Sequence, residues 1–454
     1  MKNTKKLLFT FIILASVPIS LILLNQKTNF FGKAFGTKAN IIIDAGNIVG
    51  GKSENWRYLA QGGEERGRQL LPVIDLTRAL QPKYIRIDHV FDYYNVVSKD
   101  GSGKLNFNWA EFDLYLEDIK SIGAKPFISL SYMPPSISKS GDVNDYPTNW
   151  EDWETVVKTT IEHVSGRSNL AISDVYYEVW NEPDLFGGYK ITGEKSYLDL
   201  YIHSAKGAKE ANNVNSFKFG GPATTGFYEN WMNKLIIFCK ENNVRLDFIS
   251  WHRYSLNLDD YEQDFEGASH YSGLETVISE LGPDSENNDV NDNYFGAMHT
   301  IATAVTLEGK VDKLFNFEIK DGPGPTKNWG RWGIITHEKF GTPEVKPRYR
   351  AIQFLNNLNG GTNIFVSGNG SWIKAIAKEK NGKVIFLIVN YDNQGKNREA
   401  VPVKVINLKS NEFNLKRIDF SGKVSEQKIK SETNSYDVLL TFEPNTASIF
   451  EISY

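Results

Sequence analysis

Between residues 39 and 358, short apolar runs alternate with longer segments whose apolar residues recur at helical spacing. Eight such pairs can be counted. The strand-like runs are ANIIIDAG around Ile42, YIRID from Tyr84, PFISLSY from Pro126, VYYEVWN from Val175, FKFGGPA from Phe217, LDFISWH from Leu246, TVISEL from Thr276 and LFNFEI from Leu314. Between them, WAEFDLYLEDIKSIG places Phe112, Leu114, Leu116 and Ile119 at spacings suited to a crossover helix, and SYLDLYIHSAKGAKEA from Ser196 reads the same way. The strand runs are nearly continuous in apolar residues, as parallel strands covered on both faces should be. Eight strand–helix units over about 300 residues predict an α/β fold, a (β/α)8 TIM barrel. A doubly wound sheet is the competing arrangement, because periodicity does not show whether a sheet closes. The first unit is open to a second reading: IIID could belong to another domain, with barrel strand one nearer GNIVGG.

From about residue 359 to 454 the pattern changes. The runs SWIKAIAKE, KVIFLIVNYD, VPVKVINL, FNLKRIDF, SYDVLLTF and TASIFEISY are separated by Asn, Gly and Lys turns with no long helical segment, which predicts an all-β sandwich. At the other end, Lys2, Lys5 and Lys6 precede an uncharged apolar run from Leu7 to Leu24. This run is long for a signal-peptide core, which spans about 7–15 apolar residues, and no small-x-small cleavage site follows it. Residues 1–24 are therefore expected to be a membrane signal anchor, or a signal peptide if cleaved, with 25–38 as a linker. The remainder would lie extracytoplasmically, since the lysines stay inside.

Composition narrows the function. The chain has 454 residues with a formal net charge of -4 and intermixed acids and bases, so no nucleic-acid partner is expected and the N-terminal segment is the sole membrane contact. A single cysteine, Cys239, excludes an intramolecular disulfide and thiolate zinc sites, and reads as a small buried apolar residue. The histidines show no HExxH or HxH spacing, so neither a metal nor any other cofactor is expected. GGKSENWRYLAQGGEE lacks GxGxxG spacing after a strand, and reads instead as a loop that closes over the barrel mouth.

In a parallel barrel, the polar residues that end the strands converge on one face. Those residues are Arg86, Asp88 and His89; Tyr132; Asn181 and Glu182; His252 and Tyr254; Glu280; and Glu318. Glu182 and Glu280, far apart in sequence, end strands that face one another across the mouth. Two facing carboxyls about 5–5.5 Å apart suit glycoside hydrolysis, one protonating the leaving oxygen while the other attacks the sugar. Trp180 and Pro183 crowd Glu182, which favours it as the acid/base. Tyr254 and Arg86 are donors within reach of Glu280, which favours it as an ionised nucleophile. The plainer readings are a helix-start or turn carboxylate before Pro183, an exposed strand-end acid at 280, and a salt-bridged Asp88–His89 pair supporting the barrel. Glu275 and Glu318 are rival nucleophiles, with Glu318 better suited to binding. Of the aromatics Tyr132, Trp180, Trp251, Trp329 and Trp332, which are more often core, Trp332 is the favoured sugar platform. Glu178 has no evident role.

The stretches YIRIDH, PFISLSYMP, YYEVWNEPD, FGGPA, DFISWHRYS, VISELG and KPRYRA, in this order, resemble glycoside hydrolase family 39, whose retaining barrel enzymes include β-xylosidases and α-L-iduronidase. The resemblance spans about Tyr84 to Tyr349. It implies Glu182 as acid/base, Glu280 as nucleophile, Asn181 as the contact to the sugar 2-hydroxyl and Tyr254 as the tyrosine bonded to the nucleophile. It also implies His252 and Arg86 as the strand-six histidine and strand-two arginine. One departure is that strand eight, FNFEIKD, contains no tryptophan, the nearest being Trp329 and Trp332. The chain length resembles the bacterial members that cut exopolysaccharide internally. The expectation is a retaining glycosidase acting on β-linked sugars in poly- or oligosaccharide. A transglycosylase of envelope polysaccharide assembly and a non-catalytic carbohydrate-binding barrel are the alternatives. Neither the sugar nor the oligomeric state follows from these residues.

Overall fold

The protein is described by a computed structural model covering residues 36–51, 54–63, 65–327 and 332–454. It divides into two compact units, Lys52–Asn359 on one hand and Met1–Gly51 with Gly360–Tyr454 on the other.

The unit Lys52–Asn359 is a closed barrel of eight parallel strands. In chain order around the barrel these are Tyr58–Gln61, Tyr84–Ile87, Lys125–Leu130, Val175–Val179, Phe217–Thr224, Phe248–Tyr254, Glu275–Gly282 and Lys313–Phe317. Seven of the eight lie where the apolar runs predicted them. The helix expected from Trp109 runs Ala110–Ile122 and stops at Gly123, whose φ of +92° is a left-handed conformation that glycine adopts without a Cβ penalty. Phe112, Leu116 and Ile119 of that helix are buried as predicted, but Leu114 faces solvent at 41% exposure. The helix Tyr197–Glu210 is capped by Ser196, whose hydroxyl accepts from the Asp199 N–H. Inside the barrel Tyr58, Ala60, Phe127, Tyr176, Phe248, Val277 and Phe315 form one apolar cluster contributed by six different strands. This packed layer leaves the polar strand ends as the place where chemistry can assemble.

The first strand departs from the expectation. IIIDAGNIVG, Ile41–Gly50, is not a barrel strand but pairs antiparallel with Thr362–Ser367 and parallel with Glu399–Ile406 in the other unit. Its burial alternates, with Ile41 and Ile43 fully buried and Ile42 partly exposed, which is the period of a strand covered on one face. Barrel strand one is instead YLAQ, all four residues buried. It is too short and too polar at Gln61 to stand out by periodicity. The barrel unit therefore begins near residue 52 rather than 39.

The second unit is one continuous nine-stranded sheet. Its apolar core draws on residues such as Ile43, Ala375, Phe386, Val403, Phe413 and Phe450 from strands along the whole sheet. Besides the six expected runs and Ile41–Gly50, it contains Thr362–Ser367 and an edge strand Val424–Lys430, VSEQKIK, too polar to register as a strand. Cys239 is a buried free thiol of the barrel unit, pushed up to about 12 by burial, as its plain reading expects. Among the described residues no helix is long and apolar enough to cross a membrane. The run Leu7–Leu24, on which the anchor expectation rests, lies outside the described residues, as does Trp329.

Candidate active site

The polar strand ends converge on a cleft of about 750 Å³, lined among others by Asp88, His89, Tyr132, Asn181, Glu182 and Glu280. Local backbone features aim the two acids. The strand Val175–Val179 ends in a turn where Trp180 has φ +73° and Glu182 φ +47°. A left-handed conformation is costly for a residue as large as tryptophan and persists only where its surroundings enforce it. They do so here. The Trp180 indole N–H donates to the Phe186 carbonyl at 2.7 Å, and its own carbonyl accepts from the Ser129 hydroxyl at 2.7 Å. The Glu182 N–H donates to the Ala223 carbonyl at 2.9 Å, and its carbonyl closes the turn by accepting from the N–H groups of Leu185 and Phe186. No helix begins at Glu182, so of its plainer readings the helix start does not hold while the turn does.

Glu280 is aimed by a bulge. Along Glu275–Gly282 the register against the neighbouring strand runs Ile278 to Trp251 and then Glu280 to His252, so Ser279 is an extra residue. Without it, alternation would put Glu280 on the opposite face from His252. With it both point to the barrel interior.

The result is a dense hydrogen-bonded cluster. Arg86, 1% exposed, donates from Nε to Glu178 Oε2 at 2.8 Å, from Nη1 to Glu280 Oε1 at 2.8 Å and from Nη2 to Asn181 Oδ1 at 2.7 Å. The Tyr254 hydroxyl donates to Glu280 Oε2 at 2.8 Å, and Asn181 Nδ2 donates to the Tyr132 hydroxyl at 2.8 Å. His252, fully buried, sets Nδ1 2.8 Å from Glu182 Oε1 and 3.4 Å from Glu280 Oε2. One carboxylate oxygen each of Glu182 and Glu280 lies within 4.8 Å of the other and of the His252 nitrogen.

The electrostatics follow from burial and charge. Burial pushes the Glu280 carboxyl up, as does the Glu182 charge, while His252 and Arg86 pull it down. Each of its oxygens already accepts a hydrogen bond, and Arg86 has no acceptor to offer in return, so the geometry holds Glu280 as a carboxylate. Burial works against a charged His252, yet the Glu280 and Glu182 carboxylates outweigh it and raise the imidazole above its ordinary value. Burial and then Glu280 push the Tyr254 hydroxyl far above the usual tyrosine range, so it stays a donor.

The remaining predicted residues are distributed as follows. Asp88 and His89 line the cleft but do not pair with each other, because His89 Nδ1 bonds Asp92 at 2.7 Å. Trp332 lines the cleft and donates from its indole to the Ser285 carbonyl at 3.1 Å. Glu318 is fully buried and does not line the cleft; its Oε2 accepts from Gln61 at 3.0 Å and from the Gly62 N–H at 3.3 Å, which makes it a support for the loop after strand one. Glu275 sits at the opposite end of its strand, bonded to Tyr176 and Lys313, and is no rival to Glu280. Of GGKSENWRYLAQGGEE, YLAQ is a strand, and Gly62 and Gly63 alone of this stretch, among the described residues, line the cleft.

Two side-chain trios have metal-ligand spacing, Glu182–His252–Glu280 and Glu65–His337–Glu338. In the second, the Lys320 ammonium already bonds both oxygens of Glu338 at 3.0 Å and Glu65 at 2.5 Å. In the first, Arg86 and Tyr254 hold both oxygens of Glu280. Neither donor set is short of cationic or hydrogen-bonding partners.

The pattern of glycosyl hydrolases family 39 matches residues 64–271. A β-xylosidase of Caldicellulosiruptor saccharolyticus is 24% identical over 372 residues, covering 74% of this chain and 73% of that protein. Over residues 64–271 the chain resembles glycoside hydrolase family 39. An α-L-iduronidase of Canis lupus familiaris is 25% identical over 178 residues, 35% of this chain and 26% of its own. Among solved structures, a monomeric β-xylosidase of Caulobacter crescentus CB15 shares the fold with a TM-score of 0.74 at 18% identity, covering 91% of this chain and 99% of that one. The family-39 enzyme of Xanthomonas axonopodis pv. citri shares it at 0.72 and 17% identity, covering 92% and 97%.

The family-39 match stops short of Glu280, so the geometry of the second acid rests on the structure itself. The protein is a glycosidase. Sequence reasoning left Glu178 without a role, and the structure supplies one: fully buried, it accepts from Arg86 Nε and so turns the guanidinium toward Glu280 and Asn181. Glu178 stands one residue before the end of its strand and two after the inward-facing Tyr176, so strand alternation is the signal that points to it. Asp184, which accepts from the Thr225 N–H at 3.1 Å, and the exposed Leu185 and Phe186 also border the cleft and went unremarked.

Proposed function

We propose that this glycosidase hydrolyses β-linked sugars, xylosides foremost, in oligo- or polysaccharide with retention of configuration, through a glycosyl ester on Glu280. The observation that carries the reading is the approach of the Glu182 and Glu280 carboxylate oxygens to within 4.8 Å. Retaining glycosidases place the two carboxyls about 5–5.5 Å apart, whereas inverting ones leave about 6.5–9.5 Å for a water. Glu182 gives its proton to the glycosidic oxygen as a Glu280 oxygen attacks the anomeric carbon, and the carbon–oxygen bond breaks with its electron pair going to the leaving group. Glu182, now a carboxylate, takes a proton from water as the water oxygen attacks the same carbon and frees Glu280. Arg86 and Tyr254 keep the nucleophile fixed and ionised, while His252 fixes Glu182.

The xylose preference is supported by the β-xylosidases among the similar proteins. An open cleft of about 750 Å³ bordered by Phe186 and Trp332 is roomy for a single sugar ring, which favours a chain substrate. Export is part of the proposal, on the strength of the apolar run Leu7–Leu24 behind three lysines. The test is Glu280→Gly with an activated aryl β-xyloside: turnover should vanish, and added azide should restore it with a glycosyl azide of inverted configuration. Rescue at Glu318 instead of Glu280 would overturn the assignment.

A further inference from the structure

Asp88 follows the strand Tyr84–Ile87, borders the cleft and is 8% exposed. Its Oδ1 is buried with no hydrogen-bond partner. A buried acceptor without a donor is costly, and beside a binding cleft it marks a place where a ligand donates. Carboxylates outnumber the cations around it. Glu182, Asp184, Glu280 and Glu286 line the same cleft. Of the cations, Arg253 is held by Asp264 in a two-point bond of 2.7 and 2.6 Å, and the His89 Nδ1 is bonded to Asp92. Arg86 lies buried behind the acids with three acceptors of its own. Among the described residues, no lysine lines the cleft.

We propose that Asp88 is a specificity-determining residue: its carboxylate accepts hydrogens from sugar hydroxyl or ammonium groups and turns uronic acids away. A sugar carboxylate at this place would meet a second, buried anion with no arginine or lysine at hand to form the two-point bond that recognises a carboxylate. Burial already pushes the Asp88 carboxyl up, with His89 and Arg86 pulling against it. A donor from a neutral sugar relieves that state, and a further anion worsens it. The substrate class is thereby narrowed to polysaccharides whose cleaved unit is neutral or carries an amine. This rests on the glycosidase reading above.

The test compares kcat/KM for an aryl β-xyloside and the matching aryl β-glucuronide in the wild type and in Asp88→Asn. The wild type should prefer the xyloside by a hundredfold or more. In Asp88→Asn the xyloside should lose about ten- to a hundredfold, the worth of a hydrogen bond to a charged group, and the preference should shrink at least tenfold. A preference unchanged by the substitution overturns the proposal. A second measurement needs neither turnover nor the variant: xylo-oligosaccharides should raise the wild-type melting temperature, and oligogalacturonates of equal length should not. Equal protection by both overturns it too. Absence of turnover on every glycoside would refute hydrolysis, leaving the melting comparison to decide charge selection by itself.

Discussion

Tyr254→Phe removes one oxygen and nothing else from the site. The ring has close neighbours, edge-on to Phe317 with centroids 6.3 Å apart and against Gly282, so phenylalanine should keep the packing. The lost interaction is the 2.8 Å bond from the hydroxyl to Glu280 Oε2. A hydrogen bond to a charged group is worth about 1.5–3 kcal/mol, and it exists in full only while Glu280 is ionised. Since one pKa unit corresponds to about 1.4 kcal/mol, the substitution should raise the Glu280 pKa by about one to two units. The sign is fixed by the chemistry: Tyr254 favours the carboxylate, so its removal favours the protonated acid, which is no nucleophile. Glu280 is already pushed up by burial, against His252 and Arg86, so the acid limb of wild-type kcat/KM should lie above the ordinary carboxylate range and move further up in the variant. The assay is the pH profile of kcat/KM on an activated aryl glycoside, with a melting curve to show that the variant is folded. A fall in rate with an unmoved acid limb, or a limb displaced to lower pH, would refute the role given to Glu280.

Glu178→Ala should cost about 3–5 kcal/mol in urea unfolding, because it leaves the buried Arg86 charge short of a partner, whereas Glu178→Gln keeps an acceptor and should cost clearly less. Equal stability of Glu178→Ala and wild type would show that Arg86 is not held from that side. His299 is lowered from 6.5 to about 3, by burial first and then by the Arg348 charge, so the unfolded chain binds its proton and the folded chain does not. Stability should therefore fall by about 5 kcal/mol on its account as pH drops from 6.5 toward 3. His299→Gln, which keeps a donor for the Ser255 carbonyl bonded at 2.8 Å, should flatten that slope in denaturant titrations at several pH values; an unaltered slope refutes the assignment.

The barrel was legible because parallel strands covered on both faces leave long apolar runs, and seven of its eight strands follow them. The eighth, YLAQ, is four residues long and ends in Gln61, whose amide bonds Glu318 and the Lys320 carbonyl, so its polarity belongs to the site rather than to the core. IIID misleads for the opposite reason: its isoleucines are as apolar as a barrel strand, and the sheet that takes it is distant in sequence. In the site, residue types at strand ends were enough to nominate Arg86, Tyr254, Asn181 and the two acids. What they could not reveal was the bulge at Ser279, the left-handed backbone at Trp180 and Glu182, or the choice of Asp92 over Asp88 as the partner of His89, because each depends on registers and turns that leave no periodic trace.

The charge balance of the site bears on catalysis as well as on binding. Asp88, Glu178, Glu182 and Glu280 are gathered around one permanent cation, Arg86, with His252 the titratable remainder. Burial of that excess shows in the resting enzyme as upward shifts at Asp88, Glu280 and His252, each of which draws a proton toward the cluster. A neutral sugar in its ground state leaves the imbalance in place. The oxocarbenium-like transition state of glycoside cleavage does not, because the ring gains positive charge beside these carboxylates. The interaction is therefore stronger in the transition state than in the bound substrate, which is the condition for it to raise kcat and not only affinity. A uronate at Asp88 would deepen the imbalance before the ring has acquired any charge to offset it, so the arrangement that favours the transition state of a neutral sugar is the same one that discriminates against an acidic one.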